Sequence, residues 1–219
     1  MAEITPVARS PIAPALPEVV VDGWVVSGRR SSAALSLTDC TPLAKIAVKA
    51  AFDGATADGL AVPFGRSARE DWGLGPGQDV LIVGSGPGEW LVLAPPAQGT
   101  AVTERLQETA TRTDELVTVI DVTHGRALVR LTGERAPDVL AKECGVDLAE
   151  AVCPDGAAFR SAVARVATDI VRDDQAGSRS YLLHCERSSG QYLFDSLVDA
   201  GTEFGVEVDG FVSPDVPPQ

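Results

Sequence analysis

The sequence predicts an α+β fold in which mixed or antiparallel sheets are covered by a few helices. Short apolar runs typical of strands outnumber amphipathic helical stretches, and 45% of the 219 residues are hydrophobic, enough to bury a large core. Two of these runs, 79–83 and 90–93, are joined by the glycine-rich residues 84–88, which indicates a β-hairpin. Helices do not alternate regularly with strands, so a fully parallel βαβ sheet is excluded.

The N-terminal part divides into an arm and the first strands. Residues 1–23 contain four of the prolines, and because proline fixes φ and lacks an N–H, we predict an extended arm there. The body of the protein is predicted to span residues 24–205. Within it, 25–26 and 35–37 are weak strand candidates, whereas 43–52 fits either a strand or a helix.

The middle of the chain predicts two strands between two helices. The first helix follows the hairpin, with Thr100 as its N-cap. Strands are predicted at 116–122 (LVTVIDV) and 126–131 (RALVRL). Residues 132–133 then cap a short helix with Pro137 in its first turn, a position that tolerates proline.

The C-terminal third repeats the strand and helix order of the middle. Strands are predicted at 162–167, 169–172 and 179–185. Segments 89–110 and 180–200 each read as a strand that begins near an aromatic residue, a polar turn and an amphipathic helix. This weak internal repeat predicts two strand-rich units with helices covering one side of each.

The last predicted helix has clear signals at both ends. Ser188 and Ser189 are candidate N-caps, and Gly205 stands where a left-handed C-cap residue belongs. Residues 206–219 contain three prolines and predict a flexible tail. The apolar residues of the helix fall at spacings of four, three and four, which forms one stripe. They are Leu193, Leu197, Ala200 and Phe204.

Charge and composition exclude several function classes. The formal net charge is −13, so we expect no grip on nucleic-acid phosphates or on anionic membranes. No apolar run approaches the roughly 20 residues of a membrane span, and the N-terminus lacks the pattern of a signal peptide. Four cysteines without a CxxC motif fit free, buried thiols better than zinc ligands. We therefore expect a cytoplasmic protein.

No residue pattern in the sequence amounts to an active site. The glycine clusters at 73–77 and 84–88 lack the arrangement of a phosphate-binding loop. His124 follows Asp121 at a turn, where a general base and a turn stabiliser are both open and the latter is favoured. His184 fits a hydrogen-bonded histidine within a sheet, and Asp173–Asp174 fit a hairpin turn. We therefore predict no catalytic, cofactor-binding or metal-binding residues in this chain.

Five blocks of the sequence, taken together, carry a family resemblance. They are RSP at 9–11, GEWLVLAP at 88–95, DVTHGR at 121–126, LTGERAPDVLAK at 131–142, and the ending from Tyr181 to Gly205. In order and spacing these blocks resemble the γ subunit of heterotetrameric sarcosine oxidase. More distantly they look like the folate-binding domains of glycine-cleavage T-protein and YgfZ. The resemblance covers roughly residues 80–206, whereas only the first block represents the N-terminal part.

The resemblance implies a folate-binding-domain-like fold and a non-catalytic place in a complex with α, β and δ subunits. Such a complex demethylates sarcosine oxidatively to glycine and forms hydrogen peroxide, with methylenetetrahydrofolate or formaldehyde as the one-carbon product. It also implies that NAD, FAD, FMN, tetrahydrofolate and zinc belong to other subunits and that this chain binds no cofactor. Which N-methyl amino acid the complex prefers does not follow from this chain.

Two other functions remain open beside this one. A γ subunit of a related N-methyl amino acid oxidase or dehydrogenase would show the same motifs. A free-standing YgfZ-like folate-binding module would need a pteridine pocket, and the cysteine motif of that family has no counterpart near Cys144 or Cys153. A stand-alone aminomethyltransferase is disfavoured, because such enzymes carry an additional C-terminal barrel.

Overall fold

The computed structural model describes residues 6–214. They form two sheets packed face to face, with helices on the outer side of each and a small third sheet at one end. The strands are β1 (Ala8–Arg9), β2 (Glu18–Val21), β3 (Trp24–Ser27), β4 (Ser36–Asp39), β5 (Ala44–Lys49), β6 (Ser67–Glu70), β7 (Val80–Gly86), β8 (Glu89–Ala94), β9 (Thr118–Asp121), β10 (Arg126–Thr132), β11 (Ala158–Val163), β12 (Val166–Arg172), β13 (Ser180–Glu186) and β14 (Glu207–Asp209). The α-helices are α1 (Ala55–Leu60), α2 (Gly99–Arg112), α3 (Ala136–Glu143) and α4 (Gly190–Gly201).

The sheets are antiparallel except at two pairings. The six-stranded sheet has the order β11-β12-β13-β10-β4-β14, and only β14 and β4 run parallel. The five-stranded sheet, β6-β7-β8-β5-β9, is antiparallel throughout. The third sheet, β1-β3-β2, joins β1 to β3 in parallel. The predicted α+β class with mixed or antiparallel sheets and covering helices is confirmed.

Strand alternation sends apolar side chains to both faces of each large sheet. On the outer face of the six-stranded sheet, residues such as Val129 and Leu183 pack against Val139 of α3 and Leu197 of α4. On the outer face of the five-stranded sheet, Ile46 and other residues pack against Val102 and Leu106 of α2. The inner faces meet in a third core cluster that includes Leu81, Leu93, Leu128 and Leu182. The result is a four-layer α/β/β/α arrangement.

The ambiguous segment 43–52 forms the strand β5. It pairs with β8 on one side and β9 on the other, so its side chains alternate between the inner and outer faces. Ile46 and Val48 enter the outer core, whereas Lys45 points inward. Tertiary pairing therefore decides a segment whose local propensity is balanced.

The predicted hairpin between 79–83 and 90–93 is confirmed as β7 and β8. A bulge between Gly84 and Gly86 interrupts its register. At Gly88 the backbone has φ +71, and a Cβ there would lie 2.4 Å from the carbonyl oxygen of Ala50. Glycine is therefore required at this turn by conformation and by close backbone approach.

Some predicted boundaries are wrong. A strand at 162–167 does not exist, because Ala164 and Arg165 have φ +48 and +66 and form the turn between β11 and β12. Such turns usually carry Asn or Gly, so this pair gave no signal. The predicted N-caps of α2 and α3 are also wrong, because α2 begins at Gly99 and α3 at Ala136. Ser189 is the N-cap residue of α4 and Gly205 is left-handed with φ +71, both as predicted. None of these three helices has a side-chain cap hydrogen bond at its N-cap.

The predicted terminal segments contribute to the folded body. From the arm at 1–23, β1 and β2 pair with β3, and Ile12 is only 1% exposed within the core. From the tail at 206–219, β14 extends the six-stranded sheet and Phe211 enters the inner core. The prolines at 11, 14 and 17 lie between these short strands rather than in them, so an arm rich in proline can still pair. Residues 1–5 and 215–219 lie outside the described residues.

The predicted internal repeat is present as secondary structure. Strand β8 leads through a 3-10 turn, Pro96–Gln98, into α2, and β13 leads through Arg187–Ser189 into α4. Each helix covers the outer face of the sheet that contains its strand. The predicted stripe on α4 is buried at Leu193, Leu197 and Ala200.

Candidate functional site

A cavity of about 610 Å³ lies between the two large sheets. Its apolar wall comes from both inner faces and from the C-terminal segment, and its size falls within the range of small-molecule sites. The apolar lining includes Leu43, Leu81, Leu93, Leu182 and Phe211. This cavity is the candidate site, because polar groups from several elements converge on it.

The polar side of the cavity is lined by Arg69, Arg130 and Gln175, which all donate hydrogen bonds to the carboxylate of Asp173. Arg69 donates to it through Nε at 3.0 Å and Nη2 at 2.7 Å, a bidentate contact. Arg130 donates through Nη2 at 2.6 Å, and Gln175 through Nε2 at 3.0 Å. Burial favours a raised pKa for Asp173, but the arginine hydrogen bonds and charges outweigh it and lower the pKa. Asp173 is therefore an ionised structural anchor and not a proton donor.

The guanidinium of Arg130 makes further hydrogen bonds besides the one to the Asp173 carboxylate. Its Nη1 also donates to the Asp173 carbonyl at 3.1 Å and to Ser180 Oγ at 2.7 Å. Its side chain is 15% exposed, whereas that of Arg69 is 43% exposed. Arg69 is therefore the cation at this side of the cavity that an incoming anion reaches more readily.

The C-terminal segment lines another side of the cavity. Residues 209–214 all contribute to the lining, and Phe211 anchors them in the inner core. The hydroxyl of Ser213 is buried and has no hydrogen-bond partner within residues 6–214. An unpaired hydroxyl in a cavity wall is available to a bound molecule or a water.

One potentially reactive group, Cys40, lines the cavity, and a second, Lys45, hydrogen-bonds to the lining residue Leu43. Burial raises the pKa of the Cys40 thiol to about 11, so it stays protonated and is a poor nucleophile. Lys45 is fully buried beside Leu93 in the five-stranded sheet, and its Nζ donates to the carbonyls of Thr41 and Leu43, both at 2.7 Å. Burial lowers the pKa of Lys45 to about 7, although the charges of Asp39 and Asp121 oppose this.

The structure places His124 at a turn and away from any nucleophile motif. Asp121 Oδ1 accepts the backbone N–H of Thr123 at 2.8 Å, and Thr123 Oγ1 accepts that of Lys45 at 2.9 Å. The exposed His124 ring stacks on Trp24 with centroids 4.9 Å apart. The favoured interpretation, a turn stabilised by the Asp and Thr side chains, is confirmed.

His184 is a sheet histidine whose hydrogen bonding is only half complete. Nδ1 lies 3.3 Å from Asp169 Oδ2, whereas Nε2 is buried without a partner in the described part of the chain. The prediction of a satisfied histidine is therefore wrong for one nitrogen. Burial lowers the pKa of His184, and the neighbouring Asp169 opposes that shift.

Asp173 and Asp174 do precede the turn between β12 and β13, but their side chains serve ion pairs. Asp174 accepts from Arg172 at 3.1 and 2.8 Å, separately from the cluster around Asp173. The hairpin itself closes between Gln175 and Ser178. The turn interpretation was correct for the backbone and missed the function of both carboxylates.

The cavity residues themselves were not identified from the sequence. Arg69, Arg130 and Ser213 come from distant parts of the chain, and no short motif unites them. The sequence did contain one signal. Arg130 and Lys45 are charged residues within mostly apolar strands, and the alternation of side chains along those strands places both on the inner face of a sheet.

Comparison with known proteins gives the family. The GCVT N-terminal domain family matches residues 75–216. This chain belongs to that family. As a GCVT N-terminal domain, it is 27% identical over 132 residues to an aminomethyltransferase from Saccharopolyspora erythraea, a match covering 60% of this chain and 35% of the relative. The chain thus spans about a third of that relative's length.

Two solved structures share the GCVT fold of this chain. A chain of heterotetrameric sarcosine oxidase from Corynebacterium sp. U-96 superposes with a TM-score of 0.64 at 19% identity, covering 81% of this chain and 89% of that one. Aminomethyltransferase T of the glycine cleavage system from Bartonella henselae gives a TM-score of 0.67 at 17% identity, covering 90% and 56%. The predicted likeness to folate-binding domains of the T-protein superfamily is therefore confirmed at the level of the fold.

Three further properties of the described residues bear on function. No group of three or more His, Cys, Asp or Glu side chains within 6–214 is arranged to hold a metal ion. The helices of that part of the chain are too short or too polar to span a bilayer. The four cysteines, all in the described range, are buried free thiols.

Proposed function

We propose that this chain is a non-catalytic, γ-type subunit of a heterotetrameric sarcosine oxidase or of a related N-methyl amino acid oxidase or dehydrogenase. One observation carries the proposal. The match to a chain of the Corynebacterium sarcosine oxidase covers 89% of that chain, whereas the match to the Bartonella aminomethyltransferase covers 56%. The match therefore spans most of one chain of such a complex but only about half of the aminomethyltransferase.

The arrangement of the polar residues supports a non-catalytic role. Asp173, Arg130 and Arg172 are committed to ion pairs, and the Cys40 thiol is protonated. Among the described residues, none of the hydroxyl or thiol groups that line the cavity hydrogen-bonds to a carboxylate or a histidine. The chain would thus contribute packing surface to the complex.

The complex would oxidise the N-methyl group of sarcosine and pass two electrons to O₂, which gives hydrogen peroxide. Hydrolysis of the resulting imine gives glycine and formaldehyde, whereas transfer of the imine carbon to tetrahydrofolate gives glycine and 5,10-methylenetetrahydrofolate. FAD, FMN, NAD, tetrahydrofolate and zinc would be bound by the α, β and δ partners. The described cysteines are reduced, which fits a cytoplasmic assembly.

Affinity purification of the tagged chain from its native host tests the proposal. We expect three partner subunits to co-purify with the tagged chain, and we expect the purified complex to show flavin absorbance and sarcosine-dependent formation of peroxide. A chain that elutes alone, while sarcosine oxidase activity elutes elsewhere, would contradict it.

A free-standing folate-binding module is the second candidate function. The cavity favours it, because it combines an apolar wall with the exposed cation of Arg69 and the unpaired hydroxyl of Ser213. Calorimetry of the isolated chain with tetrahydrofolate discriminates. Micromolar or tighter binding that Arg69→Gln weakens would favour this module, and the subunit proposal predicts no such binding.

A further inference from the structure

Strand β2 leaves one side of its backbone without hydrogen bonds. It is an edge strand of the three-stranded sheet and pairs only with β3. Gly28 N–H donates to the Pro17 carbonyl at 2.7 Å, so residues 17, 19 and 21 face β3 in the alternating antiparallel pattern. The N–H and C=O groups of Glu18 and Val20 therefore point outward, and no other part of residues 6–214 bonds to them.

The side chains along this edge are apolar and exposed. Leu16 is 78% exposed, Val20 62% and Val19 38%. Proteins usually protect an edge strand with charges or cover it, because an open apolar edge pairs with other chains. The one acid on β2, Glu18, is already in an ion pair with Arg9 at 3.5 Å.

Positive charge flanks the edge although the chain as a whole carries −13. Arg29 and Arg30 are exposed and form no ion pair with the described residues. They follow Gly28, which packs so closely on Pro17 and Val19 that a Cβ there would lie 2.9 Å from Val19 Cγ1. The two guanidinium groups are thus attached at the end of β2 where Pro17 lies.

We propose that β2 accepts an extended, acidic segment of a partner subunit as a fourth strand of this sheet. The partner's backbone pairs with Glu18 and Val20, its apolar side chains cover Leu16 and Val20, and its carboxylates meet Arg29 and Arg30. The identity of the partner rests on the proposed function, since the segment belongs to another subunit of the same complex.

A pair of substitutions at one position tests the backbone pairing. Val20→Pro removes the outward N–H without touching the bonds to β3, whereas Val20→Thr keeps that N–H and the β-branched shape. We expect Val20→Pro to weaken association with the purified partner complex by about tenfold or more, and Val20→Thr by about threefold or less. Both variants should keep the melting temperature of the parent within a few degrees.

Charge reversal and hydrogen exchange add independent readouts. Arg29→Glu with Arg30→Glu should weaken association and its dependence on salt, whereas the control Leu116→Asp, at a 93% exposed position between α2 and β9, should not. The amides of Glu18 and Val20 should exchange more slowly in the assembled complex than in the isolated chain.

The outcomes separate the two proposals. A complex that assembles equally well with Val20→Pro and leaves the β2 amides exchanging fast would overturn the docking proposal and leave the proposed function standing. If no partner complex exists, both fall. A homodimer of the isolated chain that Val20→Pro dissociates would assign the edge to a second copy and would overturn the proposed partner.

Discussion

Two buried charges, Asp173 and Lys45, contact residues that line the cavity and differ in how well their charge is compensated. Asp173 receives hydrogen bonds from two arginines and a glutamine. Lys45 donates only to two backbone carbonyls and has no carboxylate within salt-bridge distance among the described residues. The pKa of Asp173 is lowered, because its arginine partners favour the ionised carboxylate. The pKa of Lys45 is also lowered, because burial favours the neutral amine. The first shift stabilises the charged form and the second destabilises it.

The largest effect is expected from Asp173→Ala. It leaves Arg130 with its buried guanidinium uncompensated, so we expect a loss of about 3 kcal/mol in the free energy of unfolding. Urea denaturation at neutral pH measures it. Asp138→Ala, whose ion pair with Arg135 is more than half exposed on both sides, is the control and should cost less. If the two variants lost equal free energies of unfolding, the buried ion pair beside the cavity would contribute no more stability than the control pair.

Substitution of the poorly paired charge should act in the opposite direction. In the folded state the pKa of Lys45 is about 7, below the model-peptide value of 10.5, so the unfolded chain binds more protons between these values. The penalty is fully present below pH 7 and is relieved as the pH rises toward 10.5. Lys45→Met should therefore raise the free energy of unfolding at pH 6 by about 2 kcal/mol.

The same substitution should also flatten the rise in stability between pH 7 and 10. Chemical denaturation at a series of pH values measures both effects. Lys49→Met, on the exposed end of the same strand, is the control and should change neither. A Lys45→Met protein that is less stable at every pH would contradict this account of the buried amine.

His184 should make stability depend on pH in the same direction as Lys45 does, but more weakly and at acidic pH. Because burial holds its folded pKa below 6.5, the unfolded chain binds the extra proton first, and stability falls as the pH drops below 6.5. His184→Gln, which keeps a donor for Asp169, should reduce the loss of stability between pH 7 and pH 5. Thermal unfolding at pH 5 and pH 7 measures the difference, with the exposed His124→Gln as control.

The smallest effect is expected at a surface pair. Arg112 and Glu108 lie 3.5 Å apart on α2, with both side chains more than two-thirds exposed. Arg112→Ala should change the free energy of unfolding by less than about 0.5 kcal/mol. A larger change would show that the exposure of an ion pair does not predict its contribution to the free energy of unfolding.

The fold was predictable where the signal is local. Apolar runs predicted the hairpin of β7 and β8, and the four-residue spacing of Leu193 and Leu197 predicted the buried face of α4. Sequence patterns did not predict the turn at Ala164 and Arg165, because their left-handed backbone conformation is imposed by tertiary context and not by their residue types. The short strands β1, β2 and β14 were missed because two to four residues carry too little periodicity.

The cavity was less predictable than the fold, since its polar groups meet only after the sheets pack. Arg69 lies on β6, Arg130 on β10 and Asp173 just after β12, so nothing in their local sequence marks them as neighbours. Alternation within β10 predicts that Arg130 faces the same side as Leu128. It does not predict what lies opposite.

The parallel pairing of β14 with β4 affects the order in which the protein can assemble. Residues 36–38 pair with residues 207–209, so the edge of the six-stranded sheet forms only after nearly the whole body has been synthesised. Contacts between such distant segments slow folding, because a long loop must close before they form. The side of β4 that receives β14 therefore stays open on the ribosome, where a chaperone or a premature strand pairing has its longest opportunity.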